Sequence, residues 1–598
     1  MKRSLTTLII LTAGVAQSGT LGAVLEVPAM YPTIQAAVSA ATHGDNVLVA
    51  DGTYIGPGNR DISFQGKAIL VQSEHGPEFC TINCQGGAAA NHQAFTFTSG
   101  EGPDSHLSGF TIANAYQSSY MADGGAIFIE NSSPTISNCV FEMNYTEDSG
   151  SAVYAFGAVD LTIQDCMFIN NETYEYSGGG TVHVEESYAE INTCSFVDNT
   201  ITGGYSGGGA AVSGDSNTVM EIIGCTFTGN QTLGSASGAA VRIVDSNTTI
   251  SGSLFANNGS PVHGGAIDII GSAVISDCTF SGNSAGQRGG AIYFEEDAGG
   301  NVTGCTFENN TANLGGGICC SFSTPRIGGS QSESNTFTEN FAGTGSDIAC
   351  LFVPETPVDA RWNHFTGYFP SDYYVSPSAA FDLSNCTFIR EPIFQDVFVT
   401  VDGSNSNDGL SWDTAFQTVQ YAVQRIYATP ENPLTIHIGA GVFSPSATGE
   451  IFPLPAISHV NIQGVSSSQT VLDAESTAGI FFVHRDDTVT IQDLTLTGGY
   501  AARGGGIYCH KCSPIIRRCE IIGNTAGLYR KEGGGLYVHK ASPYIADCRI
   551  SLNQADTGGG VYLYGSTSIL ENCLIISNTA EYAGGGISSD FNEASSLV

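Results

Sequence analysis

The chain repeats itself. The unit Ile-x-x-Cys-x-Phe-x-x-Asn stands at Ile136/Cys139/Phe141/Asn144, Ile163/Cys166/Phe168/Asn171 and Ile191/Cys194/Phe196/Asn199. It returns at Ile275/Cys278/Phe280/Asn283 and, with Val leading, at Val302/Cys305/Phe307/Asn310. With Ile in place of Phe it recurs at Ile516/Cys519/Ile521/Asn524 and Ile545/Cys548/Ile550/Asn553. A Gly-Gly-Ala/Gly-Ile/Val segment belongs to the same unit. Each unit holds short alternating stretches separated by turns, with no helix-length apolar pattern. A period of this kind, with one glycine-rich turn per unit, marks the coils of a parallel β-helix. One coil cannot bury its own apolar face. Stacking at the ~4.8 Å spacing of paired strands does so, and it lines equivalent residues into columns. Ile and Phe then fill the core, and Cys puts a small apolar group at a tight bend. Asn bonds its neighbours above and below, and the paired glycines permit a left-handed or crowded corner.

That frame decides how the cysteines read. The stretch RGGGIYCHKCSPIIRRCEIIGNTA, Arg503 to Ala526, resembles a metal or redox centre. Aligned on the repeat, however, Cys509 falls on Val538 and Ile129, and Cys512 falls on Ala541 and Ser132. These are apolar and small slots, where a free Cys serves as a small hydrophobe. A metal centre would need four converging ligands. Column cysteines are expected to stay free thiols, because in-register parallel neighbours point their Cβ atoms the same way. Cys80 with Cys84, and Cys319, Cys320 and Cys350, lie off the column and are the better disulfide candidates.

Charge excludes some partners. The 598 residues carry a formal net charge of -38, and only 13% are charged. An acidic chain of this kind opposes nucleic acid, whose phosphates need Lys and Arg opposite them, and a bare anionic membrane surface. The start, MKRSLTTLIILTAGVAQSG, has a basic Lys2-Arg3, an apolar Leu5 to Val15 and a small-residue Gly14-Val15-Ala16. It reads as a secretory signal over residues 1–23, too short to span a membrane. No later run reaches spanning length, so no transmembrane segment is expected. The protein is expected to be exported, either secreted or held at the cell surface.

GGAI at Gly264–Ile267 and Gly289–Ile292, with FxxN at Phe141–Asn144, Phe196–Asn199, Phe280–Asn283 and Phe307–Asn310, resembles a known pattern. It is similar to the polymorphic outer-membrane proteins of chlamydia-like bacteria, which are autotransported adhesins. More broadly the chain resembles the right-handed parallel β-helix, pectin-lyase-like superfamily, whose fold hosts both enzymes and binders. Tyr31 to Tyr54 and Val399 to Ala428 look like starts of such solenoids. Ile34, Ala37, Val38 and Ala41 mark one helix face. Phe416, Val419, Ala422, Val423 and Ile426 mark another. The expected fold is all-β: two tandem right-handed parallel β-helix solenoids, residues 24–392 and 393–598, each with a short N-terminal capping helix. The junction falls near Glu391–Gln395, and coils between Ser321 and Arg390 are expected to lose register. The final GGGISSDFNEASSLV stops one strand into a coil, with neither a closing cap nor a barrel translocator. This reads as a fragment or as a chain completed by another.

Two columns of the second domain suggest a binding face. Tyr508, Tyr537 and Tyr562 share one position, flanked by inward residues, so alternation points them outward. His510, His539 and Tyr564 come two residues later. A row of rings one coil apart suits stacking on sugar rings. The alternative is a sheet face built from β-favouring residues. The first domain has a poorer row, Phe128, Tyr154, His183 and Tyr293, interrupted by Arg242 and Asp268. Carboxylates gather at strand exits at Glu130, Glu185, Glu186, Glu295, Glu296 and Asp297. Asp402, Asn405, Asn407 and Asp408 could hold Ca²⁺, but they lack the spacing of a calcium loop, and a solvated turn is the preferred reading.

The superfamily resemblance implies calcium-bound aspartates with an Arg or Lys base in its pectate lyases. In its polygalacturonases it implies an aspartate cluster with Gly-His-Gly and Arg-x-Lys. Neither set stands in this sequence. Asp160 and Asp165 have no recurrent basic partner, and Arg288 lies in a variable turn. No catalytic or metal-ligating residue is assigned. The leading expectation is a non-catalytic adhesin or scaffold binding an extracellular polysaccharide or a surface protein. A calcium-dependent polysaccharide lyase is the alternative, and a purely structural spacer is the third reading.

Overall fold

The computed structural model describes residues 22–598 apart from 119–122, 175–178, 204–206, 352–357, 366–372, 377–380, 383, 389–391, 485–488, 528–530, 591–595 and 598. The expected signal over residues 1–23 falls almost wholly outside them.

A single coil shows how the repeat becomes structure. Gly124 adopts φ 71°, and a Cβ there would meet the Ile127 carbonyl oxygen at 2.7 Å, so the turn admits glycine and little else. Strands Ile127–Glu130, Thr135–Ser137, Val140–Glu142 and Tyr145–Thr146 follow. Each pairs in parallel with its counterpart one coil on: Ile127 with Val153, Ile136 with Ile163, Phe141 with Phe168, Tyr145 with Glu172. Repetition of this unit makes an all-β parallel β-solenoid of about 18 turns. The strands fall into two sets. Those between Val24 and Phe388 build sheets of 22, 13, 9 and 2 strands. Those between Val397 and Leu597 build sheets of 8, 6, 6 and 4, and no sheet joins the sets.

The columns predicted from the repeat run through the core. From Phe141 to Phe307 the rings stack with centroids 4.6–4.9 Å apart, and Phe337 and Phe365 extend the row. In the second set Leu472, Leu496, Ile521 and Ile550 occupy the same column. Beside the phenylalanines runs a column of buried asparagines. Asn171 Nδ2 donates to Asn199 Oδ1 at 3.0 Å and to the Phe141 carbonyl at 3.0 Å, while its own Oδ1 accepts from the Asn144 backbone and side chain. The pattern continues through Asn230, Asn258, Asn283 and Asn310 to Asn340. It ends where Asn340 Nδ2 donates to Asp347 Oδ1 at 2.9 Å. In a dry core each amide satisfies groups that would otherwise be stranded. The second set carries a shorter version, Asn524, Asn553 and Asn578.

Between Ser321 and Arg390, where the sequence predicts lost register, the described strands keep their pairing. Phe307 pairs with Phe337, Cys320 with Cys350, His364 with Thr387. A second asparagine rung, Asn335 to Asn363, holds the coils together where the surface sequence has drifted from the repeat.

All 17 cysteines are thiols, none of them in a disulfide. The expected disulfides do not form, and their geometry explains why. Cys80 and Cys84 bracket one extended segment, both buried and two inward positions apart. Cys320 belongs to the solenoid core, while its neighbour Cys319 faces the other way into a separate cluster. The column thiols donate to backbone carbonyls, as Cys166 does to Gln164 at 3.2 Å. Cys509 lies in the core and Cys512 donates to the Val483 carbonyl at 3.4 Å.

Both predicted helix faces are buried. Helix Ile34–Ala40, capped by Thr33 Oγ1, sets Ile34, Ala37 and Val38 against the first strands. The second helix is a short one, Val419–Val423. The wholly buried Glu450 closes its start, accepting from Val419 N at 2.7 Å and Gln420 N at 2.8 Å. Among the described residues, no helix is long and apolar enough to cross a membrane.

Candidate functional site

The tyrosine row exists but is not exposed. Ring centroids of Phe482, Tyr508, Tyr537 and Tyr562 lie 4.8, 5.2 and 5.6 Å apart in a continuous stack. As alternation predicts, these rings leave the core of their own coils. Tyr537 and Tyr562 are nevertheless only 2% and 6% exposed. Phe482 joins Tyr293, Leu314, Cys319, Ala349 and Leu351 of the first strand set in one buried cluster, and Tyr508 packs against it. The row therefore starts in a seam between the two strand sets. Arg503 lies 5.1 Å over the Tyr537 ring while pairing with Glu532 at 2.8 Å. Across the seam, Arg288 donates to the Tyr293 hydroxyl at 2.9 Å, which is the role of the arginine weighed as a base. In the poorer row of the first set Phe128 is half-buried and Tyr154, His183 and Tyr293 are buried: Tyr154 bonds Glu185, His183 bonds Ser213, and Asp268 pairs with Arg242.

The second column stays accessible. His510, His539 and Tyr564 are in register at the end of successive first strands and are all half-buried. The two imidazoles stack with centroids 4.7 Å apart, and Tyr564 meets His539 edge-on at 4.9 Å. Burial first, then the charges of Lys540, Arg503 and Lys511, hold the His539 ring down to about 4. At neutral pH it is an uncharged hydrogen-bonding ring. Positive charge at this corner comes from the next residues, Lys511 and Lys540. Both are exposed, both sit at positive φ, and Lys540 Nζ lies 6.0 Å from the Tyr564 ring.

This basic corner was not read from the sequence, because the chain's overall charge hides it. Eight of the 19 Lys and Arg residues fall between Arg503 and Arg549, where only Glu520, Glu532 and Asp547 oppose them. The same corner of the first set is acidic. Glu130, Phe156, Glu185 and Asp215 occupy the column in register, three of the four acidic, and Glu186, Asp245 and Asp297 stand at positive φ beyond it.

The other predicted groups have local tasks. In the loop before the second helix, Asn405 Oδ1 accepts from Gln417 N and Thr418 N. Asn407 donates to the Ala415 carbonyl, and Asp408 accepts from Leu410 N. Their polar atoms shape the turn. Elsewhere Asp51, Glu74 and His75 bring one ligand atom each within 4.8 Å of one another, all on exposed residues, and Asp51 raises the pKa of His75.

The coil geometry above has a match among known families. The family described as "Right handed beta helix region" matches residues 58–221, 192–388 and 455–598. The chain belongs to the right-handed β-helix family. Solved structures similar to this β-helix protein include the PL6 family alginate lyase AlyGC, with 12% identity over 91% of this chain and 84% of that one, at a TM-score of 0.30. A mutant of that lyase matches with 13% identity over 92% of this chain and 85% of that one, also at 0.30. No curated protein matches the chain.

Proposed function

We propose that this β-helix protein is an exported, non-catalytic scaffold of the cell surface that holds a glycan or protein partner at its basic corner. One observation carries the reading: His510, His539 and Tyr564 repeat in register with lysines beside them, one coil apart, and remain accessible. A periodic row of hydrogen-bonding rings and cations suits a ligand that itself repeats, because each coil then contributes a similar contact. The deeper tyrosine row supports this corner from behind.

The test is retention of the full chain on arrays of glycans and of cell-surface proteins, with wild type compared with the double variant Lys511→Glu/Lys540→Glu. Retention that falls in the variant while the unfolding midpoint holds is the expected result. Equal retention by both proteins would overturn the corner assignment. Unsaturated sugar products, detected by rising ultraviolet absorbance on incubation with polysaccharide and calcium, would replace the scaffold with a lyase.

A further inference from the structure

A second face of the same strand set carries a groove that the corner does not use. Strands Tyr500–Ala501, Thr525–Ala526, Gln554–Thr557 and Thr579–Ala583 form the four-stranded sheet that precedes the Gly-Gly turns. A groove of about 360 Å³ lies on it. Its small apolar floor includes Ala526 and Ala555, 2% and 4% exposed, and Gln554, Asp556, Lys531 and Glu581 line it.

The register of this sheet breaks at one place. Gln554 pairs with Thr579 and Ala555 with Ala580, but Thr557 pairs with Ala583. Two residues, Glu581 and Tyr582, thus stand opposite the single Asp556. Such a bulge re-aims side chains, and bulges collect beside binding sites. Beside it stands Tyr582, which is 74% exposed, the most exposed tyrosine among the described residues. Tyr582 directly follows Glu581, which lines the groove, and its hydroxyl bonds the Glu581 side chain, so the residue stands at the groove's rim.

The lining and the tyrosine at its rim together have the chemistry of a sugar site. An aromatic face offers a platform for the C–H face of a pyranose. Two carboxylates accept from hydroxyls, an amide both donates and accepts, and the ammonium donates. Charge narrows the class. Asp556 and Glu581 outnumber Lys531, and Lys531 already pairs with Asp556 at 3.7 Å, so a carboxylated or sulfated ligand meets net repulsion. We infer that this groove binds a neutral, hydroxyl-rich oligosaccharide, with one pyranose ring stacked on Tyr582 and its hydroxyls bonded to Gln554, Asp556 and Glu581. The inference goes beyond the corner reading and shares no residue with it.

The full chain is titrated with cellotetraose, mannotetraose and β-1,4-galactotetraose, with tetragalacturonate as the charged control. Affinity is followed by calorimetry, and ring contact by saturation-transfer NMR. Binding of at least one neutral tetrasaccharide is expected. Tyr582→Ala should weaken it about tenfold, the effect of losing one aromatic contact, and Gln554→Ala should weaken it too. Both residues are exposed, and unchanged unfolding midpoints verify that the variants fold. Lys511→Glu/Lys540→Glu should bind the sugar as wild type does. Failure of every neutral sugar to bind, tighter binding of tetragalacturonate, or an unaltered affinity in Tyr582→Ala would each overturn the groove and leave the corner reading standing. Loss of neutral-sugar binding in the corner variant would overturn the groove in favour of the corner.

Discussion

At the exit of each first strand, the two strand sets share a backbone and reverse their chemistry. Between residues 130 and 297 this corner bears Glu130, Glu185, Glu186, Asp215, Asp245 and Asp297. Between residues 510 and 564 it bears His510, Lys511, His539, Lys540 and Tyr564. One coil-width inward, the sets agree. Both stack a branched aliphatic column, both place thiols at the bend, and both run an asparagine column beside phenylalanine or its aliphatic substitutes. Packing density and buried hydrogen bonds dictate the inner columns. Nothing in the coil dictates the corner, so partner recognition can be written there without disturbing the stack.

The largest effect should come from breaking what the sets share. Asn230→Ala removes the acceptor of the Asn199 backbone amide and one donor to the Phe196 carbonyl inside the core. It should cost about 3 kcal/mol, as stranded buried groups do. Asn553→Ala removes the same two bonds in the second set. Urea denaturation should return a similar loss at both sites, and a large disparity would mean that the two cores are not built alike. A smaller effect tests whether the thiols only fill space. Ser253 already stands in the cysteine column, accepting from Cys225 N at 3.1 Å and donating to the Ser251 carbonyl. Cys225→Ser should therefore cost about 1 kcal/mol, and a loss several times larger would give the sulfur a special task. The smallest effect belongs to the corner. Lys540→Glu, which copies the chemistry of the first set, should shift stability by less than about 0.5 kcal/mol and register instead in partner retention.

The sequence carried the coil in full because each inner column recurs at a fixed place in the repeat. Phe141, Asn171 and Cys166 could be assigned to core, ladder and bend from alignment alone. Alternation also placed Tyr508 and Tyr537 on the outer side of their strand. It could not report what lies beyond that side, and the first strand set supplies Tyr293, Cys319 and Leu351 there. Tyr582 escaped notice for a related reason. It sits beside a one-residue bulge, which alternation reads as an ordinary continuation of the strand. The seam and the bulge are both facts of assembly, settled only after the coils are wound.

In the asparagine column every amide is oriented alike, giving to the rung after it and receiving from the rung before. Any rung therefore fits between any two others. A whole turn copied into or dropped from the gene between Asn171 and Asn310 would find its partners already waiting, so the length of this rod can change by recombination one turn at a time while the faces it displays are retuned separately.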